Sequence, residues 1–297
     1  MNKTFIINGG LGRHIAAIPA LEKYVKNNPE TIIVAHHWTP IFWGNKILMD
    51  CVTDATTKGL FERVKNTKII CPEPYYEHDY INDRIHMIDA FNKIINDDEE
   101  HLPHAKLYLS NAEFAIARGI ARCNDKKTII FQPFGSTARM EGGIVIDSTV
   151  RSLSIENTNA IIDFFYDKGY NIILFDDKNF PGLRTDKILQ IPPRDCRGWA
   201  ALFANCDYFI GVDSAGQHMA RAFDVRGAVF FGGTSEINCS YPDHFITLKK
   251  DLPKKYVPYR FADFDVWLAE FHNNDLMTYS DEEIYNLCQV LEKDINK

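Results

Sequence analysis

Asp213, Ser214, Ala215 and Gly216 stand between an apolar run, residues 209–212, and a helix-forming stretch, residues 217–223. A second apolar run, residues 228–231, ends in Gly232, Gly233, Thr234 and Ser235. A strand that feeds a helix through small residues leaves the first N–H groups of that helix without internal partners. The positive end of the helix dipole adds to them, so such a turn suits an anion, a phosphate above all. Two parallel neighbouring strands would open both turns onto one sheet edge, where α/β folds bind ligands. On that reading Asp213 to Gly216, Gln217, His218 and the Gly232-Gly233-Thr234 turn share a ligand. An ordinary strand–helix–strand unit with two glycine turns has the same spacing, and spacing alone leaves both readings open.

Other residues carry similar chemistry. The loop after residues 129–134 offers Gly135, Ser136, Thr137, Ala138 and Arg139, whose hydroxyls and guanidinium suit phosphate oxygens. Asp176 and Asp177 follow the run 172–175. Asp177 is placed to accept from ribose hydroxyls, the usual task of a carboxylate after such a strand. As a metal-binding pair these two residues are the weaker reading. Arg194 lies where contacts to a base are expected. In the first half Trp38, Phe42, Trp43, Tyr75, Tyr76 and Tyr80 cluster with His36, His37, Glu77, His78 and Asp79. Such rings stack on sugar faces or nucleobases, and the same rings also make plain core.

The block D-S-A-x-x-H-M-A (Asp213, Ser214, Ala215, His218, Met219, Ala220), followed by F-F-G-G-T-S, resembles the donor-site signature of glycosyltransferase family 9, the heptosyltransferase-like family. The opening residues 9–29, with Gly12, Pro19, Ala20 and Leu21 in register, are similar to that family's first loop and helix. Residues 129–136 and 189–211 resemble further strands and helices of its second domain. The resemblance implies a GT-B fold, two Rossmann-like domains with parallel sheets facing across a cleft. It also implies transfer of a sugar from a nucleotide-diphosphate donor with inversion, with no cofactor and no metal required.

The chain departs from the family in places. By alignment Arg151 replaces a lysine and Leu153 a tryptophan, and Arg151 keeps the charge for a diphosphate. The family's general-base aspartate corresponds to Arg13, and a guanidinium cannot take a proton from a hydroxyl. His14, the next residue, has a suitable intrinsic pKa for that task, which leaves Arg13 for donor phosphate. Alternatively the base lies among Glu77, His78, Asp79 or the His36-His37 pair. The acceptor set read here is His36, Trp38, Tyr75, Tyr76, His78 and Asp79. The acceptor itself is a saccharide or a hydroxylated base in phage DNA, with Lys46, Lys58, Arg63, Lys65 and Lys68 the cations for the latter. A nucleotide-sugar epimerase or isomerase and a non-catalytic nucleotide-binding module are the competing readings.

The elements that position these residues alternate. Strands are expected at 4–8, 31–35 and 67–71, then at 128–132, 171–175, 208–211 and 228–231. Helices are expected near 13–27, 82–96, 110–123, 155–168 and 198–204, a pattern that predicts parallel sheets. The polar stretch 124–127 sets the domains at 1–125 (acceptor) and 126–280 (donor). Residues 281–297 form a last helix, opened by a Ser280/Glu283 capping box, which the family analogy packs back toward the first domain. At 297 residues and net charge −7 the chain can bury two cores and has no general pull toward nucleic acid or anionic membranes. No apolar run approaches the roughly 20 residues of a membrane span, and residues 1–4 lead straight into a strand without a signal peptide. Seven scattered cysteines without a C-x-x-C pair point to reduced thiols and the cytoplasm, and against a zinc cluster.

Overall fold

The structure is a computed structural model and describes residues 1–176, 178, 180–192, 194–251 and 274–297. The first half runs β1 (Lys3–Ile6), α1 (Leu11–Asn27), β2 (Ile32–Val34), β3 (Val52–Thr53), α2 (Leu60–Val64), β4 (Lys68–Ile70), α3 (His78–Ile81), α4 (Met87–Asn96) and α5 (Asn111–Ala121). The second half runs β5 (Thr128–Gln132), β6 (Arg139–Glu141), β7 (Ile144–Ile146), α6 (Ile155–Asp167), β8 (Asn171–Leu174), α7 (Cys196–Phe203) and β9 (Tyr208–Val212). It continues through α8 (Ala215–Ala222), β10 (Gly227–Phe231), α9 (Glu236–Cys239), β11 (Phe245–Lys249) and α10 (Asp281–Ile295).

Two parallel sheets result, in the orders β3-β2-β1-β4 and β11-β10-β9-β5-β8. Every residue of β5, β9 and β10 is buried, as expected of a parallel sheet covered on both faces by helices. In the second sheet β5 lies between β8 and β9, so the chain reverses direction across the sheet there. The crevice at the carboxyl ends of β5 and β9 is therefore a switch point, the usual ligand site of such sheets. No helix among the described residues is long and apolar enough to cross a membrane, and all seven cysteines are free.

Three differences from the sequence expectation have physical causes. Helix α4 begins at Met87 rather than near residue 82, because Asp83 is left-handed (φ 54°) and breaks the preceding turn. Its start is instead capped by the His86 ring, which accepts from Ile88 N–H at 3.2 Å. The segment after residue 138 forms the antiparallel β6-β7 hairpin, and β3, α2, α9 and β11 were too short or too irregular for periodicity to reveal. Last, α10 does not turn toward the first half but packs on α6. Ile284, Cys288, Leu291 and Ile295 form one apolar stripe that joins the core beneath the second sheet. Asp294 ties the helix down further, accepting from Tyr208 Oη at 2.9 Å and from Arg226 at 2.6 Å.

The halves also meet through α5 and α7. Arg197 of α7 is buried and donates to both carboxylate oxygens of Glu113, at 2.7 and 2.6 Å, and to the Trp43 and Tyr108 carbonyls at 3.0 and 2.8 Å. This bidentate pair holds Glu113 down to a pKa of about 2.

Candidate functional site

Between the two sheets lies a cavity of about 820 Å³, within the usual range of small-molecule sites. The N-termini of α1 and α8 both open into it. Gly12 lets them approach, because a Cβ there would stand 2.8 Å from His218 Cδ2. Neither helix has a side-chain cap or an acidic residue in its first turn, so each presents unneutralised N–H groups and the positive end of its dipole. At α8 the Gly216 N–H is met by Gln132 Oε1 at 2.9 Å, while Ser214 and Ala215 face the cavity.

The wall beside α8 is organised by Asp147, which is 3% exposed. Its carboxylate accepts from the hydroxyls of Thr137, Thr149 and Ser152 and from the Thr149 N–H. Burial works to raise its pKa, but the Arg151 guanidinium and these hydroxyls hold it below the ordinary carboxylate value. Thr149 in turn accepts from Arg151 Nε at 2.7 Å, and Arg151 also donates to the Asp213 carbonyl at 3.0 Å. The guanidinium is thus fixed at the mouth of the α8 turn. Val150 stands at φ 49°, a left-handed conformation that costs a β-branched residue roughly 1–3 kcal/mol and is held by the packing around it.

Of the donor residues expected from sequence, Gly12, Ser136, Thr137, Arg151, Arg194, Asp213, Ser214, Ala215, His218 and Thr234 line the cavity. Thr234 Oγ1 is buried with no hydrogen-bond partner there. His218 is held by Tyr241, with Nδ1 and Oη 2.7 Å apart, and burial lowers its pKa to about 3, so the ring is neutral. Asp177 lies outside the described residues.

The remaining expectations are corrected. The Gly232-Gly233 turn packs on backbone rather than facing a ligand. A Cβ on Gly232 would overlap the Val150 carbonyl oxygen, and the Gly233 N–H is already bonded to that oxygen at 2.8 Å. Gln217 is fully buried and bonded to Asp213, and Gly216 is sealed beneath Gln132. Arg139 lies on the exposed hairpin, paired with Glu141. His14 is fully buried, its Nδ1 3.1 Å from the Gly10 carbonyl and its ring edge-on to Trp38 and Phe42. Desolvation takes its pKa down to about 4. It is not among the residues that line the cavity. Arg13 does line the cavity, but its charge is met by Glu73 at 3.0 Å and its guanidinium lies 5.2 Å from the Tyr75 ring centre.

On the acceptor side only Trp38 and Tyr75 of the expected set face the cavity. Trp38 Nε1 donates to the Gly9 carbonyl at 3.1 Å, which fixes the turn before α1. His36, Tyr76 and His78 are exposed away from it. Asp79 is held at the surface by Lys93 at 2.6 Å and Arg84 at 3.1 Å, which bring its pKa down to about 2. The sequence reading missed Tyr80, Ile81, Asp83 and Met87 on this side, and Asp147, Phe175 and Trp199 on the other. Tyr80 was visible only as one ring in a cluster. Trp199 packs at a tilt of 56° against Phe175 with ring centres 4.6 Å apart, and both rings line the cavity.

Among the described residues no group of three His, Cys, Asp or Glu side chains could hold a metal ion. No protein-family model and no curated protein sequence matches the chain. Solved structures do. A glycosyl transferase family 9 protein from Veillonella parvula superposes with a TM-score of 0.67 at 14% identity, over 98% of this chain and 97% of that one. Escherichia coli ADP-heptose lipopolysaccharide heptosyltransferase II gives 0.56 at 12% identity, over 99% of each chain. The iron-containing, dodecameric glycosyltransferase TibC of enterotoxigenic E. coli gives 0.63 at 13% identity, over 99% of this chain and 74% of its own. These likenesses, spanning nearly the whole chain, establish the fold: two Rossmann-like domains of the GT-B kind.

Proposed function

We propose that the protein is an inverting glycosyltransferase that moves a sugar from a nucleotide diphosphate to an acceptor hydroxyl. The observation that carries this reading is the uncapped N-terminus of α8, opening beside a fixed Arg151 into a cavity shared by both sheets. As the bond between the anomeric carbon and the diphosphate breaks, negative charge grows on the leaving phosphate. Donors already in place around it stabilise that charge without reorganising, and this is usually the largest part of catalysis. The Ser214 and Ala215 turn, Arg151 and the Thr234 hydroxyl are those donors. The Trp199-Phe175 wall and Arg194 suit the nucleoside, and Trp38 and Tyr75 suit the acceptor. The assignment of residues 1–125 to the acceptor and 126–280 to the donor belongs to this reading.

Solved neighbours of the same fold include TibC in complex with ADP-D-β-D-heptose and E. coli WaaC with ADP-2-deoxy-2-fluoro heptose. ADP-heptose is therefore the first donor to try. A saccharide acceptor fits better than DNA, since Lys46, Lys58, Arg63, Lys65 and Lys68 do not line the cavity. Free thiols at all seven cysteines support a reducing compartment such as the cytoplasm. A thermal-shift screen of ADP-heptose, UDP-glucose, UDP-N-acetylglucosamine and GDP-mannose tests the donor site. A specific donor at 100 times its Kd adds about 2.7 kcal/mol of stability. Nucleotide-diphosphate release, stimulated by an acceptor and unaffected by EDTA, is the expected activity. Binding without release under any acceptor would reduce the protein to a nucleotide-binding module.

A further inference from the structure

Inversion requires the acceptor hydroxyl to attack from the face of the sugar opposite the diphosphate, so the group that takes its proton comes from the first half. This inference rests on the reading above. Four titratable side chains of the first half line the cavity: Arg13, Tyr75, Tyr80 and Asp83. Arg13 carries a guanidinium, which only donates and is already paired with Glu73. Burial pushes both tyrosine hydroxyls upward, away from the range of a base. Asp83 is left.

The loop that carries it supports the choice. Between residues 73 and 83 there are four acidic residues, Glu73, Glu77, Asp79 and Asp83. Glu73 is paired with Arg13. Glu77 accepts from Tyr80 N–H at 2.7 Å and lies 3.5 Å from Lys93. Asp79 is paired with Lys93 and Arg84. Among the described residues none takes the Asp83 carboxylate in an ion pair or hydrogen bond, and it is half-buried at the cavity wall. Its left-handed backbone is the kind of outlier that marks functional sites, held here because its N–H donates to the Tyr80 carbonyl at 3.1 Å. That same carbonyl accepts from Asn238 of α9 at 2.6 Å, and the Tyr80 hydroxyl lies 3.7 Å from Cys239 Sγ. The turn bearing Asp83 is therefore anchored to the second half, on residues that line the same cavity as Asp213.

We propose that Asp83 is the general base of the transfer. The acceptor oxygen forms its bond to the anomeric carbon while its proton passes to the Asp83 carboxylate. The anomeric C–O bond to the diphosphate breaks, and its electron pair leaves on the diphosphate oxygen, against the α8 turn and Arg151. Asp83 then returns the proton to water.

The test uses the full chain and the nucleotide-sugar probes named above, ADP-heptose first, with water and simple sugars as acceptors. Asp83→Asn keeps the left-handed turn, which Asn also tolerates. It is expected to lower nucleotide-diphosphate release at least about 100-fold, with nucleotide-diphosphate affinity by calorimetry changed less than about twofold. Asp83→Gly, equally compatible with the turn, is expected to regain turnover in added formate, which Asp83→Asn does not. A wild-type protein that releases no nucleotide diphosphate from any probe overturns the transferase reading and this inference together. A wild type that turns over, beside an Asp83→Asn protein that retains more than about a tenth of its rate or an Asp83→Gly protein deaf to formate, overturns Asp83 alone.

Discussion

On the wall built from β5, β9 and α8, polar groups are held in place and aimed at the cavity. Asp147 fixes three hydroxyls, Thr149 and the Asp213 carbonyl fix Arg151, and Ser214 and Ala215 at the start of α8 face the cavity. On the wall built from α1 and residues 72–87, the polar groups are mostly spent on one another. Glu73 neutralises Arg13, Lys93 and Arg84 neutralise Asp79, and the faces turned inward are Trp38, Tyr75, Tyr80, Ile81 and Met87. One wall can stabilise a large localised charge without reorganising. The other offers stacking surface and a single uncommitted carboxylate. Under the proposed function the contrast would let one cavity take a charged donor and a neutral hydroxyl acceptor, and each half of it can be broken separately.

The largest effect is expected from Gly232→Ala. The added methyl group meets the Val150 carbonyl, which is backbone and cannot swing aside, so the loop bearing Arg151 must shift. A loss of about 3 kcal/mol or more in urea unfolding is expected, together with weakened donor binding. Wild-type stability would mean that the donor wall does not lean on this turn.

Next comes Arg151→Ala, which removes the charged partner proposed for the diphosphate. Donor affinity by calorimetry should fall about 30-fold, or about 2 kcal/mol, while Trp38→Ala changes it less than about threefold. Equal losses from the two variants would erase the distinction between the walls.

A smaller effect concerns acid. His14 and His218 titrate at 6.5 in the unfolded chain, and burial lowers them to about 4 and about 3 in the fold. The unfolded state binds the extra protons, so the stability these rings contribute is complete above pH 6.5. It is lost as pH falls through that value toward 4 and then 3. Each ring should cost about 1–2 kcal/mol between pH 7 and 5. His14→Leu should flatten that slope without altering the pH profile of kcat. A kcat profile that loses its acid limb in His14→Leu would restore the histidine as base.

The smallest effect is expected from Asp79→Asn. Its carboxylate is held at the surface by Lys93 and Arg84, outside the cavity, so kcat should change less than about twofold. Abolished turnover would move the base from Asp83 to Asp79.

Much of the second half was legible because its signals are local. Apolar runs at 129–131 and 208–210 mark strands buried on both faces, and Asp213 to Gly216 is turn chemistry in any setting. Ser280 and Glu283 announce the start of α10 from four residues of sequence. The first half was less legible because its site is made by irregular backbone. The aromatic run 36–42 folds as a 3-10 turn, and Asp83 takes a left-handed conformation that no periodicity signals.

What the sequence determined by itself, then, is the alternation of strands and helices, the parallel sheets they force, and the anion-suited turn before α8. All of these follow from hydrophobic period and small-residue chemistry within a few neighbours. The tertiary structure decided which of several similar features became the site. Gly232-Gly233 and Asp213-Gly216 look alike in sequence, yet the first is pressed onto Val150 and the second opens into the cavity. His14 and Arg13 are adjacent, yet a helix turn directs one ring into the core and one guanidinium to the wall. Those outcomes depend on atoms brought together from distant parts of the chain, and burial of one candidate and exposure of its neighbour is settled only when the layers pack.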